Sequence, residues 1–467
     1  VAGHVSGLRK LAQALLLGVM VGGMAASLFA SSAAAQVAPR PPAGGGGAAA
    51  GGGGGAGGAP RLPGGLLPGD IPGDGLGGPG TNGPAGAPQG SAPRAPDLIC
   101  VVFRPGTPDG TGDDFARGLS LTVAKHYDMA GLGLRVFLMQ LPAGVTVDDA
   151  LKRATADGRA LWVQPDFRFV SLDGGTAAPA SRQYALTKIR ALDLPPAARG
   201  QGVTVALIDS GVARDHESLK GDKLTVIDLV GESAAPPAET HGTALASIIA
   251  GSGKVQGLAP AADLLAIRAF TEVDPKSGTS NSDSFHVSQA ISTALEHKAR
   301  VVNMSIGGPS DPLVRMAVEQ AVLTGVVVFA AAGNAGPDAP PVYPAAQTGV
   351  LAVTATDDKD RLYPGANRGD YVALAAPGVN VLAARPSKAG APGYDYFTGT
   401  SMATGYATGL AAVLLSADPQ LNAAGLRKIL EQSAADLGAP KKDPEFGWGR
   451  IDAAAALAAT PTVGAAN

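Results

Sequence analysis

Val203-Thr204-Val205-Ala206-Leu207-Ile208-Asp209-Ser210-Gly211 is an apolar, β-branched run that ends in a carboxylate, a hydroxyl and a glycine. It reads as a strand buried on both faces, with the glycine turning the chain away at its end. Similar runs recur at 264–269, 301–305 and 326–331, and helical patterns lie between them near 243–250, 284–298 and 313–324. Apolar strands interleaved with helices imply an α/β fold, a doubly wound and mostly parallel sheet covered on both faces. Sites in such sheets form at the carboxyl ends of the strands, which is where Asp209 stands.

Outward from that strand, the sheet-forming region covers 183–460, with a short tail at 461–467. Ahead of it, 97–171 reads as a small α+β unit. Leu98-Ile99-Cys100-Val101-Val102-Phe103 is a buried strand, and a helical stretch follows near Asp114. Another strand spans 134–141, and a helix spans 146–156 with apolar spacing at Val147, Ala150, Leu151 and Ala154. Ala160-Leu161-Trp162-Val163 closes the series as a strand, and two helices with about four strands suggest a ferredoxin-like βαββαβ arrangement. A polar, Gly-containing linker at 172–182 joins the two units. Residues 36–96 are Gly-, Pro- and Ala-rich, with too few large apolar side chains to offset the entropy of ordering, and read as a disordered tether.

At the amino terminus, Arg9 and Lys10 precede an apolar run at 11–30, and Ala33-x-Ala35 offers a small-residue cleavage site. Residues 1–35 therefore read as a signal peptide, which implies a secreted, periplasmic or extracellular protein. Retained, the same run is long enough to anchor the chain, the one route to a membrane. The formal charge of −3 with no basic block argues against nucleic acid as a partner. A single cysteine, Cys100, excludes an intrachain disulfide; it sits in a strand and reads as core. The Gly-rich runs lack a following Gly-Lys-Ser/Thr, so no phosphate loop is expected. No spacing suggests zinc. His286 and His297 share one predicted helix without a further ligand and read as surface residues.

Three local patterns carry chemistry. Asp209 ends its strand; alone, Asp-Ser-Gly is equally a plain turn. His241 lies in Glu239-Thr240-His241-Gly242-Thr243-Ala244 at a helix start, where a glycine permits close approach. Ser401 lies in Thr398-Gly399-Thr400-Ser401-Met402-Ala403-Thr404, ahead of an apolar helix over 403–416. A serine there either caps the helix or is a nucleophile held at its positive end, where free N–H groups face a developing oxyanion.

Taken together, these patterns resemble the subtilisin-like serine proteases, in which Asp, His and Ser follow in this chain order. The resemblance spans 183–459. It includes Asp209-Ser-Gly-Val-x-x-x-His216-x-x-Leu219, Ser305-Ile306-Gly307-Gly308, Val328-Phe329-Ala330-Ala331-Ala332-Gly333-Asn334 and Phe446-Gly447-Trp448-Gly449-Arg450-Ile451-Asp452. It implies a serine endopeptidase with Asp209, His241 and Ser401 as catalytic residues, Asn334 in the oxyanion hole, and a structural His216. It implies backbone pairing of protein or peptide substrates with Ser305, Ile306 and Gly307. Ala332 and Val342 would border the primary specificity pocket, which lacks an acidic residue, so an apolar preference is expected. By the same resemblance, 97–171 is an inhibitory propeptide, a partner to its own protease, cut off between Val170 and Arg182; the alternative is an independent binding domain. The other reading of the whole is a catalytically silent scaffold of the same fold. An esterase on another α/β fold would want a Gly-x-Ser-x-Gly elbow with histidine last, which is not the order here.

Two departures stand out. Thr404-Gly405-Tyr406 follows Ser401 where the family continues with alanine, proline and histidine, which puts the usual helix entry in doubt. The connection from Gly251 to Gln256 is shorter than the calcium loop of many relatives. No cofactor is expected, and calcium has no recognisable site.

Overall fold

The computed structural model describes residues 92–172, 183–219, 223–231, 239–274, 279–388 and 391–461. The expected signal peptide, nearly all of the tether, and linker residues 173–182 lie outside the described residues.

The first unit runs β1 (Arg94–Phe103), α1 (Thr111–Gly118), β2 (Thr122–Met129), β3 (Leu134–Gln140), α2 (Val147–Asp157) and β4 (Trp162–Ser171). Its strands lie in the order β2-β3-β1-β4, with β1 antiparallel to both neighbours. One face of this sheet buries Ile99, Val101, Phe103 and Met139 under Phe115, Ala150 and Ala154 of the two helices. The other face sets Cys100, Val102, Val136 and Leu138 into a second core shared with the larger unit. Alternation along β1 thus feeds two cores from one strand.

After the short helix α3 (Tyr184–Lys188) come β5 (Thr204–Asp209), β6 (Leu224–Asp228), α4 (Thr240–Ala250), β7 (Asp263–Arg268), β8 (Thr271–Asp274) and β9 (Thr279–Asp283). Then follow α5 (Ser284–Glu296), β10 (Val301–Met304), β11 (Ile306–Gly307), α6 (Pro312–Leu323), β12 (Val327–Ala331), β13 (Leu351–Thr356) and β14 (Val372–Pro377). The hairpin β15 (Val381–Lys388) and β16 (Ala391–Phe397) leads into α7 (Thr400–Ala417), α8 (Ala423–Ser433) and α9 (Ala453–Ala459).

The central sheet has the order β14-β13-β12-β10-β5-β7-β6, and its neighbouring strands are parallel. Val205 and Leu207 face α4 and α7, while Ala206 and Ile208 face α5 and α6. This is the expected α/β architecture. The strand order reverses between β5 and β10, and the crevice at such a switch point is where ligands bind. Asp209 ends β5 there.

Helix α7 is buried along its sides from Thr400 to Leu415, which explains an apolar composition without a polar face. Gly405 does not interrupt it. A Cβ at that position would stand 3.1 Å from Ile248 Cγ2, so glycine lets α7 lie close against α4. Residues 404–406 thus lie within an unbroken helix, which begins three residues before the expected start, at Thr400.

The sheet of the first unit does not end at β4. Strand β4 continues past the unit and pairs antiparallel with β9 and, on its other side, with β11. Residues 168–172 are thus held between two strands of the larger unit, directly over the switch point.

Candidate active site

Asp209 and His241 meet in the crevice. Both are buried, and His241 Nδ1 lies 2.8 and 2.9 Å from the two carboxylate oxygens of Asp209. The local sequence explains the meeting. His241 sits in the first turn of α4, and a Cβ on Gly242 would fall 2.5 Å from Gly211 O, so only glycine lets the helix end press against the strand end. Gly242 N–H donates to Ser210 Oγ at 3.0 Å, and Ala213 N–H donates to Thr243 Oγ1 at 2.9 Å. Each residue of His-Gly-Thr therefore holds a residue of the 209–213 turn. The carboxylate fixes the Nδ1–H tautomer, which leaves Nε2 as the ring's basic nitrogen.

Ser401 lies in the first turn of α7. Its Oγ donates to the carbonyl oxygen of Leu172 at 2.6 Å. Asn334 Nδ2 donates to that same oxygen at 2.8 Å. The Asn334 amide is oriented by Thr400, whose backbone N–H and Oγ1 both donate to Asn334 Oδ1, at 3.0 and 2.9 Å. Ser401 and Asn334 thus converge on one backbone carbonyl of the chain itself. A chain of hydrogen bonds also ties α7 to the sheet: Thr408 Oγ1 to Asn303 Oδ1, Asn303 Nδ2 to Ser305 Oγ, and Ser305 Oγ to Ser401 O.

The expected substrate-binding strand is occupied by 170–172. Ile306 registers with Ser171, Gly307 with Val170, and Leu172 N–H donates to Ser305 O at 3.3 Å. A Cβ on Gly307 would lie 2.5 Å from Val342 Cγ2 and 3.1 Å from Leu172 Cδ2, so Leu172 and Val342 pack around this glycine. Ala332 is buried, its N–H donated to Val353 O and its carbonyl accepting from Tyr371.

His216 is buried and far from solvent chemistry. Its Nε2 lies 2.9 Å from Gly393 O and its Nδ1 accepts from Ser218 N, which ties the turn after β5 to the β15–β16 hairpin. His286 corrects the surface reading given to it: it is buried, with Nδ1 2.7 Å from Asp283 Oδ1 and Nε2 2.9 Å from Lys125 Nζ of β2. An ammonium only donates, so Nε2 accepts and Nδ1–H goes to Asp283. His297 ends α5 and is exposed. Among the described residues no group of three or more His, Cys, Asp or Glu is gathered as for a metal ion. No described helix is long and apolar enough to cross a membrane.

The contact between the two units contains buried acids. Burial, then the nearby charge of Asp283, pushes the Asp166 carboxyl up to about 8. Burial also raises Asp311, which accepts from Ser284 Oγ and from Gln164 Nε2 at 3.2 Å. Around Asp166 stand Asp283, Asp311, Arg168 and the Cys100 thiol. Burial opposes the charge of Asp283 too, yet hydrogen bonds from His286 hold its carboxyl below the usual range. A carboxyl with a raised value in the folded chain binds protons that the unfolded chain has released, so stability falls as pH rises from about 4 to about 8. The Ser401→Ala chain should therefore lose thermal stability relative to Ser401→Ala/Asp166→Asn between pH 5 and 8, by scanning calorimetry. A constant gap across that range would refute it.

Sequence reasoning missed Thr400, Ser210 and Leu172 as site residues. The first two lie inside quoted motifs, but their roles depend on contacts across the fold that no spacing encodes. Leu172 sits at the edge of the linker, with no local mark.

A doubly wound sheet with a buried carboxylate–imidazole pair at its switch point and a serine at the start of a buried helix defines the class of parallel-sheet serine proteases. The chain belongs to the subtilase family, whose family model matches residues 200–449. It is 34% identical to thermitase of Thermoactinomyces vulgaris over 261 residues, 55% of this chain and 89% of that protein. It is 31% identical to the minor extracellular protease Epr of Bacillus subtilis (strain 168) over 329 residues, 67% of this chain but only 49% of that protein. Among solved structures it resembles fervidolysin from Fervidobacterium pennivorans, described as a keratinolytic enzyme related to subtilisin. The TM-score is 0.66 at 25% identity, covering 78% of this chain and 61% of that one.

Proposed function

We propose that the chain is an exported serine endopeptidase made as a zymogen, which cuts itself between Leu172 and Asp173. The observation that carries this reading is the Leu172 carbonyl, which receives hydrogen bonds from both Ser401 Oγ and Asn334 Nδ2. Residues 168–172 lie as an added strand between β9 and β11, the geometry of an acyl-side substrate. The α+β unit at 97–171 is then the inhibitory propeptide, and it blocks the cleft with its own end. Export is supported by the charged, apolar and small-residue pattern of 1–35 and by the extracellular location in Epr's name.

The chemistry follows from the groups present. Ser401 Oγ forms a bond to the Leu172 carbonyl carbon as its proton passes to His241 Nε2. Asp209 holds the imidazole in place and stabilises its charged form. The oxyanion is met by Asn334 Nδ2 and the Ser401 backbone N–H. The Leu172–Asp173 C–N bond then breaks, and the proton on His241 goes to the leaving amine. Water attacks the ester at Leu172, gives a proton to His241, and Ser401 regains it as the ester bond breaks.

An apolar primary preference is supported by Leu172 packing on Gly307 and Val342. Leu172→Glu places an unpaired charge in that pocket, and self-cleavage should slow about a hundredfold or more. Chain length followed by mass spectrometry reads this; an unchanged rate would overturn the pocket assignment. The function itself is tested with a fluorophosphonate probe and an unfolded protein substrate. The matured chain should take the label on Ser401 and degrade the substrate. An unlabelled chain that degrades nothing once its amino-terminal unit is removed would make the silent scaffold the better account.

A further inference from the structure

The acyl-side segment is recognised at one position by more than backbone and apolar packing. In the β4–β9 ladder, Arg168 registers with Asp283, Phe169 with Ser282 and Val170 with Asn281. One step further along, Ser280 N–H donates to the side chain of Ser171, at 3.2 Å from its Oγ. The contact is dry: Ser171 is 8% exposed and Ser280 is 1% exposed. Ser280 Oγ is also buried and has no hydrogen-bond partner among the described residues.

We infer that the subsite for the residue preceding the acyl residue selects a hydroxyl side chain, with Ser280 as the specificity-determining residue through its backbone N–H. The inference rests on the endopeptidase reading above and adds a substrate class to it: segments with a small hydroxyl residue immediately before an apolar residue at the cut. The reason is the cost of an orphaned donor. A substrate with serine there satisfies the Ser280 N–H as it displaces water. A substrate with an apolar residue of the same size displaces the water and leaves the N–H buried without an acceptor. The penalty belongs to the substrate lacking the hydroxyl, because the site's own donor is then left unpaired.

The test uses the matured chain and quenched-fluorescent peptides copying 168–175, Arg-Phe-Val-Ser-Leu-Asp-Gly-Gly. Serine at the fourth position is replaced by alanine or by α-aminobutyrate, which keeps the shape of serine and lacks its acceptor. Expected is a kcat/KM about ten- to a hundredfold lower for both replacements. Equal kcat/KM for serine and α-aminobutyrate peptides would overturn the subsite. A second measurement is independent of catalysis. In the Ser401→Ala chain, amide hydrogen exchange at Ser280 should speed by about ten- to a hundredfold on Ser171→Ala, and an unchanged rate overturns the contact. Failure of every peptide to be cut counts against the endopeptidase reading, and the exchange result then still decides the subsite.

Discussion

Ser401→Ala lowers peptide hydrolysis by about a millionfold, the scale of losing the nucleophile of an Asp-His-Ser unit. The residue is small and buried at the start of α7, so alanine leaves the packing in place. What disappears is the hydroxyl that, in the proposed mechanism, attacks the Leu172 carbonyl. Asn334 Nδ2 still donates to that carbonyl and the backbone N–H of residue 401 is retained, so a residual rate above water is expected from oxyanion stabilisation alone. A fall of tenfold or less in kcat, with folding verified by calorimetry, would place the nucleophile elsewhere.

Asp209→Asn is the second large effect, about ten-thousandfold in kcat with substrate binding little changed. Asparagine keeps the shape, and it offers Nδ1 a single acceptor where the parent places two carboxylate oxygens at 2.8 and 2.9 Å. The amide can also present its NH2 to Nδ1, which draws the imidazole proton to Nε2 and removes the base that the proposed mechanism gives Ser401. The loss should also be relieved as pH rises and hydroxide replaces the lost base. Stopped assays across pH 6 to 10 read both features. A kcat within tenfold of the parent would mean that the buried pair serves the fold and not the reaction.

Much of the fold was legible because its strands are buried on both faces. Strands expected at 203–208 and 264–269 appear as Thr204–Asp209 and Asp263–Arg268. Their apolar runs leave no alternative period. Strand β9 was not legible: Thr279-Ser280-Asn281-Ser282-Asp283 has no apolar alternation, and it is a strand because β4 lies beside it. Strand β2 was implied by the βαββαβ order but not placed, since Thr122 to Asp128 alternate between exposed and half-buried without an apolar face. His286 was misread because a helix pattern does not reveal what packs on it; the Lys125 that reaches its ring comes from another unit. The motifs at Asp209, His241 and Ser401 were visible as strings. That Asn334 and Ser401 both reach Leu172 depends on where β4 ends, and a sequence carries no local sign of that.

The most direct test of the central claim is where the chain cuts itself. The chain and its Ser401→Ala form are incubated side by side, and the fragments are identified by intact mass and amino-terminal sequencing. The account predicts one fragment ending at Leu172 and one beginning at Asp173, with the Ser401→Ala chain left whole. Cutting at another bond, equal cutting in both proteins, or a parent chain that stays whole with Ser401 unlabelled would contradict it.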